Sequence, residues 1–175
     1  MKTLYVLRHS KAGQTNKRIL DDHDRGLTKK GERLCEMIAG DMLAIKAQFD
    51  VVLCSTARRC VETYEAVKRN YPINAVLEPS PHLYLADVQE ILRHVRRIDN
   101  IHGCALVIGH NPGLQEFCLQ VMSHSGEKKL QKELKNQFSP PTLVAFQFAT
   151  GHWQDVAFDG GTLTHYFRAK EVLRR

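Results

Sequence analysis

Short apolar runs rich in β-branched residues alternate along this chain with longer segments of helical periodicity, and this alternation restricts the possible folds most strongly. Strands separated by helices in this way pair in parallel and are covered by helices on both faces. The sequence therefore predicts an α/β fold, a three-layer α/β/α sandwich around a mostly parallel central sheet. The predicted strands are Thr3 to Leu7, Asp50 to Cys54, Ala75 to Leu77, Ala105 to Ile108, Leu143 to Phe148 and Asp155 to Phe158.

Four helical segments are predicted between these strands. In the first, apolar residues recur at spacings of three to four from Leu34 to Ile45, and Thr28 is the predicted N-cap. The last opens at Asn111-Pro112, where we expect Asn111 to cap the helix and Pro112 to occupy its first position. The other two begin near Thr56 and run from about Val88 to Ile98.

The length of the chain suits one hydrophobic core. It has 175 residues, of which 43% are apolar, so we expect a single domain over residues 1–175. The stretch from Ser123 to Pro141 is polar and basic, and we interpret it as an insertion at about 123–141 with at most a short helix. The last two strands are expected to form a hairpin around Thr150-Gly151.

The sequence gives no sign of a membrane or secretory segment. Arg8 interrupts the early apolar run from Leu4 to Leu7 before it reaches the length of a signal-peptide core or a membrane span. The five cysteines are odd in number and lie at positions typical of strand or helix interiors, which favours reduced, buried thiols. These features predict a cytoplasmic protein that does not bind membranes.

The charge balance is basic. The chain has 25 Lys and Arg residues against 19 Asp and Glu residues, a formal net charge of +6. This balance favours an anionic partner, although charge alone does not select among phosphorylated small molecules, phosphoproteins, nucleic acids and membrane surfaces. The basic runs are interpreted as solvated helical faces, namely Arg93, Arg96 and Arg97, and the terminal Arg168, Lys170, Arg174 and Arg175.

Three of the predicted strands end in segments rich in histidine and arginine. In an open parallel sheet, ligands bind beyond the carboxyl ends of the strands, because loops and helix N-termini converge there. Two histidines and at least two arginines are therefore expected to meet at one edge of the sheet. The segments are Arg8-His9-Ser10-Lys11 after the first strand, Ser55-Thr56-Ala57-Arg58-Arg59 after the second and His110-Asn111-Pro112 after the fourth.

Arginine and histidine together suit the transfer of a phosphoryl group. Arginine holds an anion through paired, charge-assisted hydrogen bonds and stays protonated. Neutral imidazole can attack phosphorus, and imidazolium can donate a proton near pH 7. We expect no metal and no other cofactor, because the chain has neither the Cys-x-x-Cys nor the His-Glu-x-x-His spacing of zinc sites.

Four segments resemble the signatures of the histidine phosphatase superfamily, which has the phosphoglycerate mutase-like fold. The small size of the chain and its Asp-His-Asp-Arg-Gly-Leu-Thr segment look most like the SixA-type phosphohistidine phosphatase branch. The segments are Leu7 to Lys11, which resembles the Arg-His-Gly signature; Asp24 to Glu32, which resembles the lead into the first helix; Ser55 to Thr63, which resembles Ser-Pro-x-x-Arg-Ala-x-x-Thr; and Gly109 to Pro112, which resembles the second-histidine segment.

The resemblance implies roles for four residues. His9 would be the nucleophile that becomes phosphorylated, Arg8 and Arg59 would clamp the phosphate, and His110 would bind the phosphoryl oxygens and assist proton transfer. Ser10 replaces the usual glycine of the signature, where it could crowd the phosphate or give it one more hydroxyl bond. Six further residues are weaker substrate-binding candidates: Ser10, Lys11, Ser55, Asn111, Asp22 and Asp24.

The resemblance also bears on the substrate. Larger relatives carry an acidic proton donor after the second strand, but no donor can be matched in the stretch from Glu78 to Asp87. A phosphoramidate leaving group is readily protonated, whereas an alkoxide needs a placed acid, so a phosphohistidine in a protein is the expected substrate. Asp22 or Asp24 could act as a donor, but capping, pairing with Arg25 or solvation is the favoured interpretation.

Two alternatives remain beside a metal-independent phosphohistidine phosphatase. One is a phosphomonoesterase of the same family that acts on a small phosphorylated metabolite, and the other is a non-catalytic phosphate-binding module. Nucleic-acid binding is not expected, because it would rest on net charge alone. A cysteine-phosphatase loop is also disfavoured, since Cys54 and Arg59 are one residue too close for the Cys-x5-Arg spacing.

Overall fold

Seven strands form one sheet in the computed structural model, which describes residues 1–14 and 21–170. The strand order is β3-β2-β4-β1-β6-β7-β5. The first four of these are mutually parallel, β6 is antiparallel to both of its neighbours, and β5 runs parallel to β7. The mostly parallel sheet is thus confirmed. Its strands are β1 (Lys2–Arg8), β2 (Val51–Ser55), β3 (Val76–Ser80), β4 (Cys104–Gly109), β5 (Met122–Gly126), β6 (Thr142–Phe148) and β7 (Gly161–Arg168).

Helices cover both faces of the sheet. One buried apolar cluster joins the sheet to α3, α4 and α5, and a second joins the opposite face to α1 and α2. In β1, Leu4 and Val6 belong to the first cluster and Leu7 belongs to the second, as expected for a strand buried on both faces. The three-layer sandwich is confirmed. The helices are α1 (Lys29–Ala44), α2 (Arg58–Asn70), α3 (Val88–Arg96), α4 (Gly113–Val121) and α5 (Lys128–Asn136).

The first helix forms as the sequence predicts. The Thr28 hydroxyl accepts a hydrogen bond from the backbone N–H of Gly31 at 3.0 Å, which is the expected N-cap. The apolar residues at spacings of three to four, among them Leu34, Ile38 and Met42, are buried against the sheet. Among the described residues, no helix has both the length and the apolar character needed to cross a membrane.

The predicted cap of the fourth helix is wrong. The N-cap position is Pro112, and no side chain caps the helix. The amide nitrogen of Asn111 donates to Oε1 of Gln115 at 3.2 Å, and its Oδ1, the atom that would cap the helix, accepts no hydrogen bond from the described residues. Gly113, the first residue of the helix, has no room for a side chain, because a Cβ there would lie 1.9 Å from the carbonyl oxygen of Ala86. The first residue of α4 therefore packs directly against the backbone of this loop.

The predicted last strand, Asp155 to Phe158, is also wrong. Residues Trp153–Asp155 form a 3-10 turn, and the true last strand is β7. Trp153 and Val156 are both fully buried, and a spacing of three suits a turn that points one face inward. The hairpin therefore has a long loop rather than a tight turn at Thr150-Gly151. Arg168 ends β7 and does not lie on a helical face, while Arg174 and Arg175 lie outside the described residues.

The polar insertion holds more structure than expected. It contains β5, a short strand that pairs with β7 at the edge of the sheet, and the nine-residue helix α5. The sequence of β5 is polar and its partner is distant along the chain, so local apolar alternation could not reveal it. Leu134 of α5 is fully buried, and it anchors the helix to the core.

Candidate active site

The carboxyl ends of three neighbouring strands bring the predicted site residues together. His9 follows β1, His110 follows β4, and Arg59 lies in the first turn of α2, directly after β2. Because β4 lies between β2 and β1, the three ends are adjacent in the sheet. The ring centroids of His9 and His110 are 5.3 Å apart. The expected meeting of two histidines and two arginines at one edge is therefore present in the structure.

These residues line a cleft of about 410 Å³. Its charged lining is dominated by cations, and among the described lining residues the single carboxylate belongs to Asp22. The excess of positive charge favours an anionic ligand. The lining residues that carry the argument are Arg8, His9, Lys11, Asp22, Arg25, Arg59, His110 and Asn111.

His9 is held as a neutral imidazole with one free nitrogen. Its Nδ1 lies 2.6 Å from the carbonyl oxygen of Ser10, which can only accept, so Nδ1 carries the hydrogen and Nε2 carries the lone pair. Burial lowers the pKa of His9 to about 4, and the positive charges of Arg59 and Arg8 act in the same direction. At neutral pH this side chain is therefore a nucleophile rather than an acid.

His110 is also neutral, with the opposite tautomer. A guanidinium can only donate, so Nη2 of Arg59, at 3.2 Å, donates to Nδ1 of His110. The hydrogen of His110 then lies on Nε2, which donates to the hydroxyl of Ser55 at 2.8 Å. Burial, together with the neighbouring His9 and Arg59, lowers the pKa of His110 to about 3. Ser55 thus orients His110 instead of lining the cleft.

Asp22 organises the arginines from one side of the cleft. Its side chain accepts from the hydroxyl of Tyr84 at 2.6 Å and from Nη2 of Arg59 at 3.1 Å, and it pairs with Arg25 at 2.8 Å. The backbone carbonyl of Asp22 also accepts from Nη1 of Arg59 at 2.7 Å. The Tyr84 hydrogen bond, together with the charges of Arg59 and Arg25, lowers the pKa of Asp22 to about 2. Asp22 is therefore ionised at neutral pH and positions Arg59.

Arg8 is held from the opposite side of the cleft. Its Nη1 donates to the backbone carbonyl of Phe138 at 2.5 Å, so the polar insertion fixes this guanidinium. The buried Nε atoms of Arg8, Arg25 and Arg59 have no hydrogen-bond partner among the described residues.

The weaker candidates separate into those that face the cleft and those that do not. Lys11 and Asn111 line it. Ser10 is fully buried, and its hydroxyl donates to the carbonyl of Gly31 at 2.7 Å, so it neither crowds a phosphate nor binds one. Asp24 is not among the lining residues; its side chain is 65% exposed and lies 3.7 Å from His23.

Sequence reasoning missed two contributors to this site. Tyr84 lies in the stretch where no proton donor could be matched, and its ring packs edge-on to His110 with centroids 5.4 Å apart. Phe138 contributes only a backbone carbonyl, which no side-chain pattern encodes. Among the described residues, no group of three or more His, Cys, Asp and Glu side chains is placed to hold a metal ion.

The fold and the cleft define a class of protein. Its members are three-layer α/β proteins with arginines and two neutral imidazoles at the carboxyl edge of the sheet. Residues 4–83 match the family model of the histidine phosphatase superfamily, branch 1. An uncharacterised protein of Mycobacterium tuberculosis strain H37Rv is 29% identical over 150 residues, which is 86% of this chain and 91% of the relative.

Solved structures extend the match to nearly the whole chain. A structure assigned as phosphohistidine phosphatase SixA from Nakamurella multipartitia aligns with a TM-score of 0.83 and 27% identity, over 96% of each chain. A phosphoglycerate mutase from Plasmodium falciparum aligns with a TM-score of 0.57 and 14% identity, over 100% of this chain and 97% of that chain, and shows the fold alone.

Over residues 4–83 this chain is therefore similar to the histidine phosphatase superfamily, and its fold is phosphoglycerate mutase-like. The segment that matches the family model contains His9 and Arg59, whereas His110 lies beyond it. The family and its SixA relatives support a phosphatase, a hydrolase of phosphoryl groups.

Proposed function

We propose that this protein is a metal-independent phosphatase that removes the phosphoryl group from a phosphohistidine in a protein. His9 is the nucleophile, and Arg8 and Arg59 clamp the phosphoryl oxygens. His110, at the end of the neighbouring strand β4, accepts from Nη2 of Arg59 and so helps to position that clamp. The neutral state of His9 supports this assignment, because its Nε2 lone pair is free at physiological pH.

The reaction proceeds in two displacements. Nε2 of His9 attacks phosphorus and the P–N bond of the substrate breaks. The substrate imidazole, which carries a proton from solvent on its other ring nitrogen, departs as the neutral ring. Water then attacks the phosphoryl group on His9, the new P–N bond breaks, and inorganic phosphate leaves with His9 neutral again. Arg8 and Arg59 contribute by balancing charge on the transferred oxygens in both steps.

The charge state of Asp22 is the observation that favours a P–N substrate. Asp22 is the single carboxylate among the described lining residues, and three donors keep it ionised, so it has no proton to give at neutral pH. An alkoxide leaving group needs such a proton from the enzyme, whereas a phosphohistidine that solvent has protonated on its other ring nitrogen departs as neutral imidazole, whose conjugate acid has a pKa of about 6.5.

We also propose that the protein acts in the cytoplasm. All five cysteines are free thiols, and four of them are buried in strands and helices. Such usage is typical of proteins in a reducing compartment.

The test compares turnover of a phosphohistidine peptide and of p-nitrophenyl phosphate, both in the presence of a metal chelator. We expect preference for the peptide, loss of roughly 1000-fold or more in kcat for His9→Ala, and a phosphoryl group on His9 in rapidly quenched enzyme. His124→Ala is the matched control, because His124 is exposed on the edge strand β5 and should retain full activity.

Other results would select the alternatives. Preference for the ester would indicate a phosphatase for a small phosphorylated metabolite. Phosphate binding without turnover of either compound would indicate a phosphate-binding module.

A further inference from the structure

We propose that a basic groove beside the cleft docks an acidic surface of the phosphohistidine-bearing protein, an inference that rests on the proposed function. The basic groove lies between α5 and the end of β7 and has a volume of about 360 Å³. Three cations line it, Lys129, Lys132 and Arg168, against one carboxylate among the described lining residues, Glu133.

The two lysines of the basic groove are presented on a rigid support. Lys129 and Lys132 are three residues apart on α5, so they share one face of the helix, while Leu134 is fully buried and fixes α5 to the core. Both lysines are exposed, and neither forms an ion pair with another described residue. Their charges are therefore available to an external partner.

Strand register places the basic groove close to the chemistry. Thr142 at the start of β6 pairs with Arg8 on one side and with Arg168 on the other. Neighbouring strands are about 4.8 Å apart, so the backbones of Arg8 and Arg168 are separated by roughly 10 Å. The basic groove is therefore within reach of a protein whose phosphohistidine enters the cleft.

A second depression connects the two features. Lys11 and Pro140 line both the cleft and this depression, which also includes Lys170 and Ser139. The hydroxyl of Ser139 lies 3.4 Å from Nη1 of Arg168, which lines the basic groove. Lys11, Lys170 and Arg168 thus line successive depressions between the cleft and α5.

The chemistry of the basic groove favours carboxylates on a protein over a nucleic acid. Its single aromatic lining residue among those described is Tyr166, whose hydroxyl donates to the backbone carbonyl of Gln137 at 2.8 Å and ties the ring to the wall. Single-stranded nucleic acids bind through successive bases stacked on aromatic rings, and the groove offers no such series. Spaced lysines suit the Asp and Glu side chains of a folded partner.

Two synthetic peptides with a central phosphohistidine test this proposal. One carries glutamates about three to five residues to either side, the separation at which an extended chain spans roughly 10 to 17 Å, and the other carries glutamines there. With the full wild-type chain at low salt, we expect kcat/KM to be about 10-fold higher for the glutamate peptide. The preference should vanish near 1 M salt, where charges are screened beyond about 3 Å.

Charge reversal assigns the preference to the basic groove. The double variant Lys129→Glu, Lys132→Glu should reduce the ratio to about one while leaving kcat/KM for the glutamine peptide unchanged. The control Lys68→Glu, Arg69→Glu makes the same charge change at the C-terminal end of α2, which packs on the other face of the sheet from α5, and should keep the preference.

The outcomes separate the docking surface from the catalytic assignment. A preference that survives in the groove variant, or is absent from the wild type, would overturn the docking proposal while the phosphatase assignment stands. If neither peptide is turned over, the proposed function fails, and fluorescence anisotropy of the unphosphorylated glutamate peptide decides the docking proposal. Binding of this peptide that is weaker in the groove variant than in the wild type and the control variant supports the docking proposal. Equal binding by all three proteins, or no binding, overturns it. A single-stranded RNA that binds the groove more tightly than the peptide also overturns it.

Discussion

The two histidines of the cleft show how burial selects a protonation state. An exposed imidazole is about half protonated near pH 6.5. In the folded protein, burial and neighbouring cations lower the pKa of His9 to about 4 and that of His110 to about 3. The site therefore keeps two neutral imidazoles among positively charged arginines, which a nucleophile requires and a simple anion-binding site does not.

These pKa shifts predict how stability depends on pH. Between the ordinary pKa of about 6.5 and about 4, both histidines bind protons in the unfolded chain but not in the folded one, so the free energy of unfolding falls as pH falls. Each contributes at most about 1.4 kcal/mol per pH unit. Above pH 6.5 both histidines are neutral in the folded and the unfolded chain, so the free energy of unfolding no longer changes with pH on their account. Asp22 acts lower, between its ordinary 3.8 and about 2, where falling pH protonates it and removes its stabilisation.

Urea unfolding at several values between pH 7 and pH 4.5 measures this slope. The double variant His9→Gln, His110→Gln should lose less free energy of unfolding per pH unit than the wild type, whatever its stability at pH 7. His124→Gln, which changes an exposed histidine, should retain the wild-type slope. Parallel curves for the wild type and the double variant would contradict the assigned protonation states.

Side chains that lie at the end of a strand, or directly after it, could be predicted from the sequence. Arg8, His9 and His110 are placed by β1 and β4 and lie where the motifs indicate. The orientation of Ser10 could not be predicted, because it depends on the carbonyl of Gly31, brought close only by folding.

At the scale of elements, the loop before α3 and the start of α4 form one packed unit. A Cβ on Gly113 would lie 1.9 Å from the carbonyl oxygen of Ala86, two residues beyond Tyr84. This backbone cannot move away without also shifting Leu85, which lines the cleft and has a φ of 50°. The position of Tyr84 against Asp22 therefore depends on a glycine in another element.

Gly113→Ala should destabilise the protein and disturb the site together. We expect a loss of about 2 to 3 kcal/mol in the free energy of unfolding from overpacking, with a lower kcat/KM as Tyr84 moves away from Asp22. Gly40→Ala is the matched control: Gly40 lies in α1 with open space around it, so alanine should stabilise the chain by up to about 1 kcal/mol. Urea unfolding and steady-state kinetics on the same samples check both changes. Equal stability of the two variants would show that the loop yields freely.

Elements were predictable where their own residues carry the signal. The N-cap Thr28 and the apolar periodicity of α1 are local, and that helix was located correctly. The strands β5 and β7 were missed because each is identified by the strand with which it pairs rather than by its own sequence. β5 is a polar strand at the edge of the sheet, and β7 follows a buried turn. The apolar residues Trp153 and Val156 belong to a buried turn, and their presence led to the wrong prediction of a strand at Asp155 to Phe158.

At the scale of the whole molecule, the strand order interleaves early and late parts of the chain. The central strand β1 lies between β4 and β6, and β4 separates it from β2. The segment that matches the family model, residues 4–83, therefore lacks both neighbours of its own first strand. Parts of the chain that are far apart in sequence complete the sheet. We therefore propose that residues 1–175 form one domain, as the length and apolar content of the chain predict.

Interleaving of this kind predicts cooperative unfolding. Removing both β4 and β6 would expose both edges of β1 and the apolar clusters on both faces, so we expect neither half of the sheet to be stable without the other. Far-ultraviolet circular dichroism and the fluorescence of Trp153, which is fully buried beside the first cluster, should report the same single transition in urea. A fragment of residues 1–100 should remain unfolded, since it retains β1, β2 and β3 but no strand that pairs with β1. Two separate transitions, or a folded fragment, would instead divide the chain into independent units and leave the cleft, which needs both β1 and β4, as an interface between them.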